Sequence, residues 1–280
     1  TVPLILNPHG MEEFGSTGPE LPALKHIAYA PLRRAVRACA AASDRVIATD
    51  RVLVPVVRQH LAVSESRISV VPNAVDLEVI DRAKAASSHD VLLLSVGRLE
   101  HNKGFHHLIG ALARLANQPS TPLTGSWRCV IIGDGSARGS LERQIAETGL
   151  RPHVSLPGRV SADDLHTWYE SATLVVHPTL YEGSSIVTLE AMAHSRAVIG
   201  TRAGGIPDKV RPGVNGWLVE PGDEEGLARA IEMALADRDR LIQMGREGRA
   251  IVEREFSWKA VTDRLVSIYD EVLTTSLAAR

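Results

Sequence analysis

The chain has 280 residues, 44% of them hydrophobic and 23% charged, with a formal net charge of −2. That length suits two modest domains or one large one, and the composition can bury ordinary cores. The near-neutral charge excludes a global basic field for nucleic acid, and an aromatic content of 4% argues against a base-stacking surface.

In chain order, Val2–Leu6 reads as a strand already inside a domain. Thr1 is not an initiator methionine, so the sequence is expected to be truncated at its N-terminus. Thr1–Asn7 also lacks the basic leader and long apolar stretch of a signal peptide. A helix is expected between Leu21 and Ala42, then strands at Arg45–Ala48 and Ile68–Val71. Lys25, Arg33, Arg34 and Arg37 cluster on or near that helix; a solvated face is one reading and a membrane-surface patch for a lipid-linked acceptor the other. Polar, Ala/Ser-rich Asp81–His89 marks the expected domain boundary. Beyond it, strand-sized apolar runs alternate with helix-period segments. The runs are Val91–Val96, Arg128–Ile132, Val154–Leu156, Leu174–His177, Ala197–Gly200 and Trp217–Val219. Six such steps predict an α/β fold with a doubly wound parallel sheet. All are well short of the ~20 residues of a membrane span. Helices close the chain at Asp223–Ala236, Arg238–Glu253 and Trp258–Leu277. Cys39 and Cys129, far apart in apolar stretches, are expected to be buried, reduced thiols of a cytoplasmic protein.

Ligands of open α/β sheets bind beyond the carboxyl ends of the strands. There the chain offers Gly97-Arg98 and Lys103-Gly104, then Gly133-Asp134-Gly135, Gly158-Arg159, Glu182-Gly183-Ser184-Ser185 and Gly204-Gly205. Glycines admit close backbone approach and the cations suit an anion, so the rim fits a phosphorylated ligand. Ser184 or Ser185 can cap a helix carrying Ile186, Leu189, Met192 and Ala193 inward, with first-turn amides facing a diphosphate. Glu182 precedes that helix and Glu190 lies about two turns into it, so the two could address opposite ends of one extended ligand.

Glu182-Gly-Ser-Ser-Ile-Val-Thr-Leu-Glu190 resembles the E-x7-E signature of family 4 retaining glycosyltransferases, which have the GT-B fold. Collinear resemblances occur at His9-Gly10, Val71-Pro-Asn-Ala-Val-Asp76, Ser95-Val-Gly-Arg-Leu-Glu-His-Asn-Lys-Gly104, Val130–Gly135, Gly204–Asp208 and Gly216–Val219. Ser195, Ala197, Asp208 and Ala74 depart from the family's usual residues. The resemblance implies two Rossmann-like doubly wound domains facing across a cleft, the first incomplete. Residues 1–86 would be the acceptor side, 87–254 the donor-binding domain, and 255–280 a helix crossing back. It also implies a nucleoside-diphosphate sugar (UDP-, GDP- or ADP-linked) as donor and a glycan, lipid-linked or small-molecule acceptor, with no obligatory metal. By resemblance, Arg98 and Lys103 bind the diphosphate beside Gly97, and Glu182 contacts the sugar with backbone at Gly183, Ser184, Ser185 and Ile186. Glu190 holds the ribose, Arg159 and Val160 frame the base, and His9 faces the sugar across the cleft. The implied chemistry is front-face transfer assisted by the departing phosphate.

Three rivals have a basis in the residues. Gly133-x-Gly135-x-x-x-Gly139 after a strand looks like a dinucleotide fingerprint, but Pro157-Gly158-Arg159 stand where an acidic residue is required. A non-catalytic sugar-nucleotide-binding protein would share most of the same residues, and a hydrolysing sugar-nucleotide epimerase of similar fold is a further, weaker rival. The adjacent His106 and His107 are expected to diverge on their helix, leaving no metal cluster, and His177 is expected to be a hydrogen-bonded interior residue.

Overall fold

In the computed structural model, which describes residues 2–8, 27–80, 91–118, 123 and 126–278, the strands assemble into two sheets, parallel throughout. The first contains β1 (Ile5–Leu6), β2 (Arg45–Ala48) and β3 (Ile68–Val70), in that order. Alternation along β2 sends Val46 and Ala48 to one face, against α1 (Ala30–Ala42) and α2 (Leu53–Leu61), and Ile47 to the other. A short helix, α3 (Leu77–Ile80), follows. The expected boundary at Asp81–His89 lies outside the described residues, as does the start of the Leu21–Ala42 helix.

The second sheet contains β4 (Val91–Val96), β5 (Trp127–Ile132), β6 (Val154–Gly158), β7 (Leu174–His177), β8 (Val198–Thr201) and β9 (Gly216–Val219). Its order is β6-β5-β4-β7-β8-β9. The chain therefore winds outward from β4 in one direction, returns, and winds outward again from β7. That reversal leaves a crevice between β4 and β7 at their carboxyl ends. The intervening helices are α4 (Phe105–Ala116), α5 (Arg138–Glu147), α6 (Ala162–Ser171), α7 (Ile186–Ala193), α8 (Glu224–Ala236) and α9 (Arg238–Ile251). On β4, Leu93 packs with Leu108 and Leu112 of α4 and Ile231 of α8. Leu92 and Leu94 pack on the opposite face with Tyr169 of α6 and with Leu189 and Met192 of α7. Burial on both faces is why β4 reads as a near-continuous apolar run, with only Ser95 polar.

After α9 a π-helical turn, Val252–Phe256, leads into α10 (Trp258–Ala278). The Val75 amide donates to the Phe256 carbonyl at 3.0 Å, which ties this turn to the segment after β3. Val261 and Ile268 of α10 join Ile47 and Val71 in one buried cluster, with Leu265 beside them. Thus α10 covers the face of the first sheet that α1 and α2 leave open. Each such aliphatic side chain contributes roughly 1.5–3 kcal/mol by burial.

The cysteines differ from expectation in one respect. Cys129 is buried on β5, and burial pushes its thiol up to about 12. Cys39 is exposed: the alanine-rich end of α1 buries Ala40 and turns Cys39 outward. Both are free thiols. No described helix is long and apolar enough to cross a membrane.

Candidate functional site

Two loops meet at the reversal between β4 and β7. Beyond β4, a 3-10 turn at His101–Lys103 closes on Gly104, whose φ is +67. A Cβ at Gly104 would fall on the Pro178 carbonyl oxygen, so glycine lets this turn press onto the exit loop of β7. The Asn102 carbonyl accepts from the Leu180 amide at 2.9 Å and from Thr179 Oγ1 at 3.0 Å. This docking delivers Lys103, whose Nζ donates to Glu182 Oε2 at 2.8 Å. His177, the last residue of β7 and 1% exposed, sets Nε2 3.0 Å from the same oxygen. Burial alone would raise the Glu182 pKa. The His177 hydrogen bond and charge, followed by Lys103, outweigh it and hold the carboxyl at about 2. Glu182 is therefore a carboxylate at neutral pH.

Of the two candidate caps, the structure uses Ser185, whose Oγ accepts from the Thr188 amide at 3.2 Å. Ser184 Oγ instead accepts from Lys209 Nζ at 3.3 Å. The start of α7 stands at the rim with its positive end toward the crevice. Ile186, expected to point inward, is 48% exposed because this first turn projects beyond the packed body of the sheet. Leu189, Met192 and Ala193 are buried as expected. Glu190, farther along α7, accepts from the Tyr169 hydroxyl at 2.8 Å. Burial raises its pKa, partly offset by Tyr169 and by the His166 charge. The carboxylates Glu182 and Glu190 thus have separate partners.

The remaining predicted residues line the same edge. Arg98 is exposed just beyond β4, and its side chain makes no hydrogen bond among the described residues. Gly97 donates its amide to the Ile132 carbonyl at 3.0 Å. Arg159 is exposed beyond β6, while Val160 packs half-buried against the core on the α7 side. Gly133 and Gly135 serve loop packing: Cβ atoms there would strike the carbonyl oxygens of Gly97 and Leu99. The Leu99 amide donates to the Asp134 carbonyl at 3.0 Å, fixing the Arg98 loop from beneath. His9, like Lys25, lies outside the described residues.

His106 and His107 do not diverge as expected. Their ring centroids are 4.0 Å apart, and His101 stacks on His106 at 4.4 Å. Burial, then the neighbouring histidines, lowers His106 to about 4. Among the described residues, no group of three or more His, Cys, Asp or Glu side chains could hold a metal ion.

Sequence reasoning missed several participants. Tyr169 orients Glu190 from a different helix, and no local spacing announces that pairing. Lys209 is 0% exposed and bonds to Asp50, which follows β2 in the other sheet. A lysine set between the buried Ile206 and Val210 was the available signal. Alongside, the Arg51 amide donates to Asp208 Oδ2 at 2.6 Å.

Residues 78–251 match the family model described as "Glycosyl transferases group 1", and residues 1–79 match "Glycosyltransferase Family 4". The chain is 33% identical over 190 residues to the lipopolysaccharide core biosynthesis glycosyltransferase LpsE of Rhizobium meliloti, covering 68% of this chain and 53% of that protein. It is 30% identical to the D-inositol 3-phosphate glycosyltransferase of Segniliparus rotundus, covering 83% of this chain and 53% of the relative. The chain spans about half the length of the curated relatives it matches. Among solved structures, sucrose-phosphate synthase from Thermosynechococcus elongatus superposes with a TM-score of 0.78 at 22% identity, covering 97% of this chain and 68% of that one. Anabaena HepE in complex with UDP superposes with a TM-score of 0.79 at 21% identity, covering 96% and 72%.

Proposed function

Because the chain belongs to the group 1 glycosyl transferases, we propose that it takes part in moving a sugar from a nucleoside diphosphate to a glycan, lipid-linked or small-molecule acceptor, with retention at the anomeric carbon. Its fold is GT-B. The observation that carries the reading is the 2.8 Å Lys103–Glu182 pair at the strand reversal, beside the start of α7. A diphosphate there meets Lys103, Arg98 and the helix N-terminus, while Gly97 allows its close approach. Glu182, ionised, accepts hydrogen bonds from hydroxyls of the transferred sugar, with backbone at Gly183, Ser184, Ser185 and Ile186 alongside. Glu190, oriented by Tyr169, receives the ribose hydroxyls; Arg159 and Val160 frame the base, and His9 faces the sugar.

In the transfer step the bond from the anomeric carbon to the diphosphate oxygen breaks. The acceptor oxygen bonds to that carbon on the same face and passes its proton to the departing phosphate. Arg98 and Lys103 offset the charge that grows on the leaving group, so the step requires neither an enzyme nucleophile nor a metal. Glu182, held at about 2, has no proton to give. The UDP complex of HepE supports a nucleotide donor, and the names of the relatives support polyhydroxylated acceptors, from a lipopolysaccharide core to an inositol phosphate. A cytoplasmic site of action belongs to the same proposal. The α1 arginines are read as a solvated face, since Arg37 Nε donates to the His60 carbonyl at 2.7 Å.

A thermal-shift and titration panel of UDP, GDP, ADP and dTDP tests the reading. One nucleotide is expected to bind, and Lys103→Ala and Arg98→Ala are each expected to weaken it by about tenfold. Unchanged affinity in both variants removes them from the phosphate site, and a response to NAD alone makes the protein a dinucleotide binder.

A further inference from the structure

Lys209 lies in the turn after β8, is 0% exposed, and spends its three donors on three elements. It bonds to Asp50 Oδ1 of the first sheet, to the Gly205 carbonyl at 3.1 Å and to Ser184 Oγ at 3.3 Å. Asp50 is 2% exposed, and burial, opposed chiefly by Lys209, raises its pKa. Gly205 in turn donates its amide to the Gly183 carbonyl at 2.8 Å. The packing leaves no slack. A Cβ at Gly205 would strike the Asp50 carboxylate, and one at Gly204 the Glu182 carbonyl oxygen. Residues 182–185 thus rest on the 204–209 turn, which is fastened through one buried ammonium to the other sheet.

We propose that Lys209 and Asp50 are positioning residues that make the shape of the 182–185 loop depend on docking of the first sheet. When Asp50 is seated, Lys209 is held where it can donate to Ser184, and Glu182 stands at the crevice. When the sheets part, the ammonium loses its counter-charge and the loop loses its anchor. The functional meaning rests on the donor-site reading above; the mechanical coupling does not.

The arrangement can be separated from a purely structural role because a lone buried charge is costly whereas a neutral pair of similar shape is tolerated. Amide exchange of residues 182–185 is compared in the wild type, Asp50→Asn, Lys209→Met, the double variant Asp50→Asn/Lys209→Met, and Ser184→Ala. Thermal stability and UDP titration accompany each. Asp50→Asn, which removes the charge that seats Lys209 but keeps a side-chain oxygen beside Ser184, is expected to speed the loop's exchange by about tenfold or more. The double variant is expected to recover thermal stability but keep the fast loop, since Ser184 still lacks its donor, and Ser184→Ala is expected to show a fast loop at unchanged stability. Recovery of loop protection together with stability in the double variant would overturn the proposal, as would an unaltered loop in Ser184→Ala. If no nucleotide binds the wild type, the donor-site reading fails while the exchange data still decide the coupling.

Discussion

A single oxygen, Glu182 Oε2, takes both the Lys103 ammonium and the His177 ring. Lys103 and Glu182 neutralise each other; under the proposed function an incoming diphosphate would compete for the lysine and release the carboxylate toward the sugar. The folded-state pKa of about 2 lies below the reference value of 4.5. The stabilisation is therefore complete above the unfolded value and is lost as pH falls from about 4.5 toward 2. Melting temperatures of wild type and Glu182→Gln should differ most above about pH 5 and converge in acid; a gap independent of pH would contradict this. If the proposed transfer holds, Glu182→Ala should lower it by about 100-fold while changing bare-nucleotide affinity less than about threefold. Equal losses in kinetics and titration would show that its role is not specific to the sugar.

Loop-to-loop packing decides where these side chains stand. The turn ending at Gly104 has φ +67 and no room for a Cβ against Pro178. Gly104→Ala should cost about 1–3 kcal/mol in denaturant unfolding. It should also weaken nucleotide binding, because Lys103 would be displaced; full affinity in a destabilised variant would show that the turn does not place the lysine. The strands were legible because β4 and β7 are buried on both faces and leave near-continuous apolar runs, interrupted only by Ser95 in Val91–Val96 and closed by His177 in Leu174–His177. The same reading failed for Ile186, since a helical period cannot tell that a first turn overhangs the sheet. Cys39 failed similarly: among so many alanines, hydrophobicity does not mark the inner side of α1. The carboxylates and basic residues of the rim could be named from sequence. Their partners Tyr169, His177 and Lys209 needed three-dimensional adjacency.

Across the whole molecule, the first sheet depends on α10 to bury one of its faces. Val261 and Ile268 supply what Ile47 and Val71 face, so Ile268→Ala should cost roughly 2–4 kcal/mol. The loss should appear as faster amide exchange in β2 and β3 with β4 and β7 unaffected; uniform loosening of both sheets would mean the two halves unfold as one unit. The position of α10 in the chain also has a consequence during synthesis. It is the last described element to be translated, yet it covers the sheet whose strands come first. The face carrying Ile47 and Val71 stays open to α10 while the entire second sheet is made, so the first sheet completes its packing after the second has been translated. A nascent chain in that state exposes a sticky parallel sheet, which is where a chaperone would be expected to bind.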